Sequence, residues 1–218
     1  MIDLDNTLVD RAAAFHTWAT EFHEKHAPDD PEAVTWLVRA DADGYEPRDR
    51  FAESVRERFH LSPTAYGDLI GDLQRGMADY LELDPQVPAA LRTARSAGWQ
   101  VVIVTNGTVA GQERKLRLTG LDDEVDAWVI SEGARIKKPA PEIFRLAARI
   151  AGMPLNGAWM IGDSASADIA GAHDLSLRSV WLHRGRPWQE VAFTPTLTAE
   201  DCPQAIELAT AAGSASRK

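Results

Sequence analysis

Two aspartates and a threonine stand close to the start of the chain, in Met1-Ile2-Asp3-Leu4-Asp5-Asn6-Thr7-Leu8. On an extended segment an i, i+2 spacing sends Leu4 to one side and both carboxylates to the other. Three chemistries suit this crowding of like charge. Asp, Asn and Thr are ordinary turn and N-cap residues, so an acidic turn is one. A Mg²⁺ site is the second, because a hard cation bound through one or two carboxylates makes their proximity tolerable. In the third, one aspartate is a nucleophile and its neighbour a general acid and base.

Polar groups of other kinds close the later apolar runs. Thr105-Asn106-Gly107 follows Trp99-Gln100-Val101-Val102-Ile103-Val104, and Gly162-Asp163-Ser164 follows the run from Ala158 to Ile161, with Asp168 about one helical turn beyond. Between them Arg135-Ile136-Lys137-Lys138-Pro139 forms a loop entering a helix, marked by Pro139 and Pro141. If the runs are parallel strands, their carboxyl ends gather along one edge of a sheet. Carboxylates, a hydroxyl, an amide and a lysine then face a common crevice.

The elements that would position these groups alternate along the second part of the chain. Strands are predicted at Trp99 to Val104, Ala127 to Ile130, Ala158 to Ile161 and Ser179 to Leu182. Helices are predicted at about Pro88 to Ala97, up to about Thr119, and from Pro141 to Ala151. This order predicts a doubly wound, three-layer α/β fold with a parallel sheet covered on both faces. From about Val9 to Leu83 the period is helical instead, in Phe15, Trp18 and Phe22, in Phe51, Val55 and Phe59, and in Leu69, Ile70, Leu73 and Met77. Breaks fall near Pro28 to Pro31, Asp41 to Pro47 and Ser62-Pro63. The expected division is a core of residues 1–10 and 84–218 and a small helical insert of residues 11–83. No internal repeat is present, and Gly213 to Lys218 reads as a frayed tail.

Some suggestive groups carry no site. Asp41-Ala42-Asp43-Gly44 is discarded as a calcium loop, because the twelfth position is Ala52 where a bidentate Glu is required. His16, His23 and His26 have no framing carboxylates and read as a solvated or half-buried helix face. Trp18, Trp36 and Tyr45 read as core packing before base stacking, and Arg39, Arg48 and Arg50 as surface pairs before substrate contacts.

A net charge of −10 argues against a general basic face for nucleic acid or anionic membrane. Cys202 is the only cysteine, which excludes an intrachain disulfide and a multi-cysteine metal site. No basic segment leads into an apolar stretch at the amino terminus, and no run is long enough to span a bilayer. A cytoplasmic protein with a small-molecule partner is expected.

Taken in order, Asp-x-Asp-x-Thr at Asp3, Asp5 and Thr7, then Thr105-Asn106, Lys138-Pro139 and Gly162-Asp163-Ser164 with Asp168, Gly171 and Ala172, resemble the four motifs of the haloacid dehalogenase-like hydrolase superfamily. The resemblance covers nearly the whole chain and matches members with a helical cap between the first and second motifs. Four residues separate Asp163 from Asp168 rather than three; both spacings occur in the family. The resemblance implies hydrolysis of small phosphate monoesters through an aspartyl-phosphate. Asp3 would attack phosphorus as a carboxylate already ionised near neutral pH, and Asp5 would protonate the leaving oxygen and then act as a base. Mg²⁺ would be held by Asp3, Asp163 and the main-chain carbonyl of Asp5, with Asp168 in the outer shell. Lys138, in preference to Lys137, would offset the negative charge, and Thr105 and the Asn106 region would bind phosphate.

Rival readings are a dehalogenase, which Asp5 disfavours; a phosphonate-cleaving enzyme, for which Lys25 is the only lysine in the insert; a phosphomutase; and a non-catalytic, receiver-like module phosphorylated on Asp. Two departures stand out. Asn6 takes a place where many relatives have Gly. Only Met1 and Ile2 precede Asp3, and so short a strand is expected to leave its neighbours underpacked, implying a start further upstream or a shortened, less stable form.

Overall fold

Ile2 pairs in parallel with Ile103 on one side and Ile161 on the other. Around it lie five strands of a computed structural model that describes residues 1–75 and 77–215. They are β1 (Val102–Thr105), β2 (Ala127–Ile130), β3 (Trp159–Gly162), β4 (Arg178–Leu182) and β5 (Leu197–Ala199). β1 pairs with β2, β3 with β4 and β4 with β5, all parallel. Across the sheet the order is β2, β1, Ile2, β3, β4, β5, so successive strands are added outward first on one side of Ile2 and then on the other. This reversal is the switch point at which open α/β sheets form a crevice beyond their carboxyl ends.

The chain divides into two compact units, residues 10–82 and residues 1–9 with 83–218. The first is helical: α1 (Arg11–His26), α2 (Ala33–Asp41), α3 (Arg48–Arg58) and α4 (Pro63–Arg75). The Asp10 carboxylate accepts the Ala13 N–H at 2.9 Å and starts α1. Phe15, Trp18 and Phe22 then lie on one stripe, packed with Leu37, Phe51, Val55 and Leu73. Burial of each such side chain contributes about 1.5–3 kcal/mol, which holds four helices of modest propensity together. Trp18 is in this core, Trp36 packs at its edge and Tyr45 is exposed, so core packing fails as a reading of Tyr45. Asp41 is fully buried between Arg11, which binds both its oxygens at 2.7 Å, and Arg48, also at 2.7 Å. It is an ion-pair anchor, not part of a cation loop.

The second unit adds α5 (Gln86–Ser96), α6 (Val109–Thr119), α7 (Leu121–Glu124), α8 (Ser131–Ala134), α9 (Pro141–Ile150), α10 (Ala170–Asp174) and α11 (Cys202–Ala215). Val102, Val104, Val129 and Met160 pack against Ile143, Phe144 and Ala147 of α9. Ile103 and Ile161 alternate with them, point to the other face and are equally buried. The inner strands β1 and β3 are therefore buried on both faces, as the centre of a parallel sheet requires.

Several details differ from the sequence expectation. β1 begins at Val102, not Trp99, because the Val101 N–H goes to the Asp126 carboxylate at 2.7 Å instead of a neighbouring strand. β5 has only three residues, too few for a period to register. α11 has no counterpart among the expected helices, and it continues through Gly213, where a Cβ would come within 2.1 Å of the Trp99 ring. The expected tail therefore fails at residues 213–215, and residues 216–218 lie outside the described residues.

Beside the first strand a pocket of about 330 Å³, open to solvent on one side, is lined by Met1, Trp99, Val102, Ala147 and Trp159. The Met1 ammonium donates to the Trp159 carbonyl at 2.8 Å, and burial lowers its pKa to about 5.

Candidate active site

Asp3 leaves the switch point with its N–H bonded to the Ile161 carbonyl at 2.9 Å. The chain then turns at once: the N–H groups of Thr7, Leu8 and Val9 all reach back to the Leu4 carbonyl. Asn6 has φ 59° in this turn, a left-handed conformation that Asn tolerates and that explains Asn or Gly at that position.

Two of the three later motifs meet Asp3 directly, and the third joins them through the Lys138 backbone. Lys138 Nζ donates to Asp3 Oδ1 at 2.6 Å and lies 2.7 Å from Asp168 Oδ1, with Lys138 and Asp168 both buried. Lys137 is exposed, and Lys138 is the lysine that meets Asp3. Asp168 reaches this position because Gly162 has no side chain; a Cβ there would lie 2.2 Å from Asp168 Oδ2. The same Oδ2 accepts the Ser164 N–H at 3.0 Å. The four residues between Asp163 and Asp168 are taken up in a wide π-helical turn, Ala165–Ile169, a geometry frequent at functional sites.

Asp163 is buried beside Asp3 and anchored by its carbonyl, which accepts from Trp181 Nε1 and Arg186 Nη2, each at 2.8 Å. Its Oδ2 accepts from Arg184 at 3.2 Å and Arg186 at 3.0 Å. Asn106 clamps the lysine loop rather than presenting a free amide: its Nδ2 donates to the Lys138 carbonyl at 3.1 Å and its Oδ1 accepts the Lys138 N–H at 2.8 Å.

Burial of several carboxylates in one place has an electrostatic cost. Burial raises Asp3 to about 7, with Lys138 pulling against it and Asp168 and Asp5 adding repulsion. Asp163 rises to about 6, through burial and then through Asp3, despite Arg184 and Arg186. Asp168 is also raised, by burial, against the pull of Lys138. Lys138 is raised because Asp168 and Asp3 outweigh its own burial. Lys138, with Arg184 and Arg186 on Asp163, leaves the burial of these three carboxylates only partly offset.

A cation fits that imbalance. Asp3, Asp163 and Asp168 each offer an oxygen, all within 4.8 Å of one another. An all-oxygen, anionic donor set suits a hard divalent ion. Among the described residues His16, His23 and His26 form no such group.

Sequence reading missed Gln112 and Lys115. Gln112 Nε2 donates to Thr105 Oγ1 at 2.6 Å and to Asp5 Oδ2 at 2.9 Å, and Lys115 Nζ donates to Asp5 Oδ1 at 2.6 Å. The available signal was a glutamine and a lysine on the same face of α6 as Gly111 and Leu116, all four buried. It missed Arg184 and Arg186 as well; an ordinary loop after a strand carries them, with no pattern to single them out.

The profile of the haloacid dehalogenase-like hydrolases matches residues 1–175. The pyrimidine 5'-nucleotidase YjjG of Escherichia coli is 32% identical over 157 residues, covering 72% of this chain and 68% of that protein. The (S)-2-haloacid dehalogenase 4A of Burkholderia cepacia is 27% identical over 161 residues, covering 73% and 67%. The chain spans about half of other relatives, 48% of a phosphoserine phosphatase from Thermus thermophilus at 34% identity. Among solved structures, the HAD-hydrolase YfnB of Bacillus subtilis bound to magnesium superposes with a TM-score of 0.75 at 22% identity, over 95% of this chain and 96% of that one. No helix among the described residues is long and apolar enough to cross a membrane.

Proposed function

This chain belongs to the haloacid dehalogenase-like hydrolases, and from that premise we propose that it is a Mg²⁺-dependent phosphatase acting on small phosphate monoesters through an aspartyl-phosphate. The observation that carries the reading is the second carboxylate, Asp5, two residues from Asp3, with its side chain 22% exposed and held by Gln112 and Lys115. A halide leaves carbon as a weak base and needs no proton. An alkoxide leaving phosphorus does need one, and in this reading Asp5 gives it.

In this reading a carboxylate oxygen of Asp3 forms a bond to phosphorus as the P–O bond to the leaving group breaks, and the proton of Asp5 goes to that leaving oxygen. Water then attacks phosphorus while Asp5 takes its proton; the Asp3–phosphorus bond breaks and orthophosphate departs. Lys138 holds Asp3 oriented and offsets charge at both stages. Thr105 binds a phosphate oxygen, with its hydroxyl fixed by Gln112. Asn106 serves the site by fixing the backbone of Lys138. Asp3, Asp163 and the Asp5 carbonyl would hold Mg²⁺, with Asp168 supporting from behind. When bound, the ion supplies charge neutralisation and Lewis acidity toward the phosphoryl oxygens.

The test is hydrolysis of para-nitrophenyl phosphate with Mg²⁺, with EDTA, and by Asp3→Asn. Turnover that needs Mg²⁺ and vanishes in Asp3→Asn is expected. Absence of turnover under every condition would sink the reading. A panel of nucleoside monophosphates, phosphoserine and sugar phosphates then narrows the substrate class.

A further inference from the structure

The carboxylate of Asp5 is held on both oxygens. Lys115 takes Oδ1 at 2.6 Å and Gln112 takes Oδ2 at 2.9 Å. The two donors lie three residues apart on the inner face of α6, 4% and 3% exposed. An ammonium withdrawn from water is unfavourable unless it meets an acceptor; an Asp5 oxygen supplies one, and counter-charge too whenever the carboxyl is ionised. A tie between α6 and the first loop could have been made with apolar side chains. Instead the donors are aimed at a carboxylate that keeps contact with solvent.

Gln112 does more than brace Asp5. The same Nε2 donates to Thr105 Oγ1 at 2.6 Å and approaches the Asn106 carbonyl at 3.3 Å. Gly107 makes room for it, since a Cβ there would come within 2.9 Å of its side-chain carbons. One amide therefore sets the distance between the group that carries the proton and the group that binds phosphate. A carboxylate has about four acceptor directions, so two donors orient it and still admit a proton.

We propose that Lys115 and Gln112 are positioning residues that fix the Asp5 carboxylate relative to Thr105, so that the proton reaches the leaving oxygen from one defined place. This rests on the phosphatase reading. The step they serve is transfer of the Asp5 proton to the ester oxygen as its bond to phosphorus breaks and the Asp3–phosphorus bond forms.

The consequence is a split between leaving groups. Nitrophenolate departs without a proton, whereas a simple alkoxide does not. In Lys115→Met, kcat/KM for an alkyl phosphate is expected to fall about 100-fold, and for para-nitrophenyl phosphate less than about 5-fold. Because kcat/KM stops at formation of the aspartyl-phosphate, slower hydrolysis of that species does not blur the comparison. In an Asp5→Asn background the same substitution is expected to change either value less than about twofold, since the residue acts through Asp5. Gln112→Met, which removes a neutral donor, runs the same comparison if Lys115→Met does not fold.

Equal losses on both esters, or a full additional loss in the Asp5→Asn background, would overturn the positioning role alone. A wild-type protein that hydrolyses neither ester would overturn the phosphatase reading, and this inference with it.

Discussion

Lys138 Nζ donates to Asp3 Oδ1 at 2.6 Å across 135 residues of sequence, and both groups are buried. The pair is completed by Asp168, 2.7 Å from the same nitrogen. Removing the lysine leaves two carboxylates without a counter-charge in a dry site.

Lys138→Met is therefore expected to destabilise the protein by about 3–5 kcal/mol at pH 7.5, the usual cost of breaking a buried pair from one side. Urea unfolding checks this. The loss is expected to shrink at pH 5, where the abandoned carboxylates take up protons instead of remaining charged.

Metal and pH should act together. Asp3 and Asp163 hold their protons up to about 7 and about 6, against 3.8 for a free carboxyl. Without a cation the folded state thus binds more protons than the unfolded one between about pH 4 and 7, and their contribution to stability falls as pH rises through that range. The buried Met1 ammonium, lowered from 8.0 to about 5, works in the opposite direction. The informative quantity is the shift in melting temperature caused by Mg²⁺, in which the Met1 contribution cancels. That shift is expected to be small at pH 5 and several degrees at pH 8, because the ion replaces protons on the same oxygens. An equal shift at both pH values would count against Asp3 and Asp163 as ligands.

Gly162→Ala tests the close approach behind the site. Its Cβ would stand 2.2 Å from Asp168 Oδ2, so Asp168 must move and release Lys138. Mg²⁺ affinity measured by calorimetry is expected to drop about 10- to 100-fold, the usual effect of disturbing the support of a ligand. The helical unit should be untouched.

Asp41→Asn tests that unit. Burial works against the Asp41 carboxylate, but Arg11 and then Arg48 outweigh it and lower its pKa below 3.8. Its contribution is present above about pH 4 and lost as pH falls through the lower folded value. The substitution is expected to cost about 3 kcal/mol at pH 7, the low end for a buried pair because Arg48 is 35% exposed. Chemical denaturation at pH 7 checks it.

The alternation of apolar runs and helices determined the α/β class, and the polar residues closing those runs determined which side chains meet, because parallel strands must bring their carboxyl ends to one edge. The aromatic stripe of Phe15, Trp18 and Phe22 determined the helical core in the same way. Tertiary structure decided what no local pattern carries. It put Lys138 rather than Lys137 on Asp3, buried Asp168 against Gly162 and turned Asn106 onto the Lys138 backbone. It also brought Gln112 and Lys115 to Asp5 across more than a hundred residues, and Arg184 and Arg186 to Asp163. The physical reason is that periodicity reports which face of an element is buried, whereas a side chain's partner depends on which other element covers that face. The ionisation of Asp3 belongs to the second kind: it follows from burial and from three neighbouring charges, none of them legible in the octapeptide that contains it.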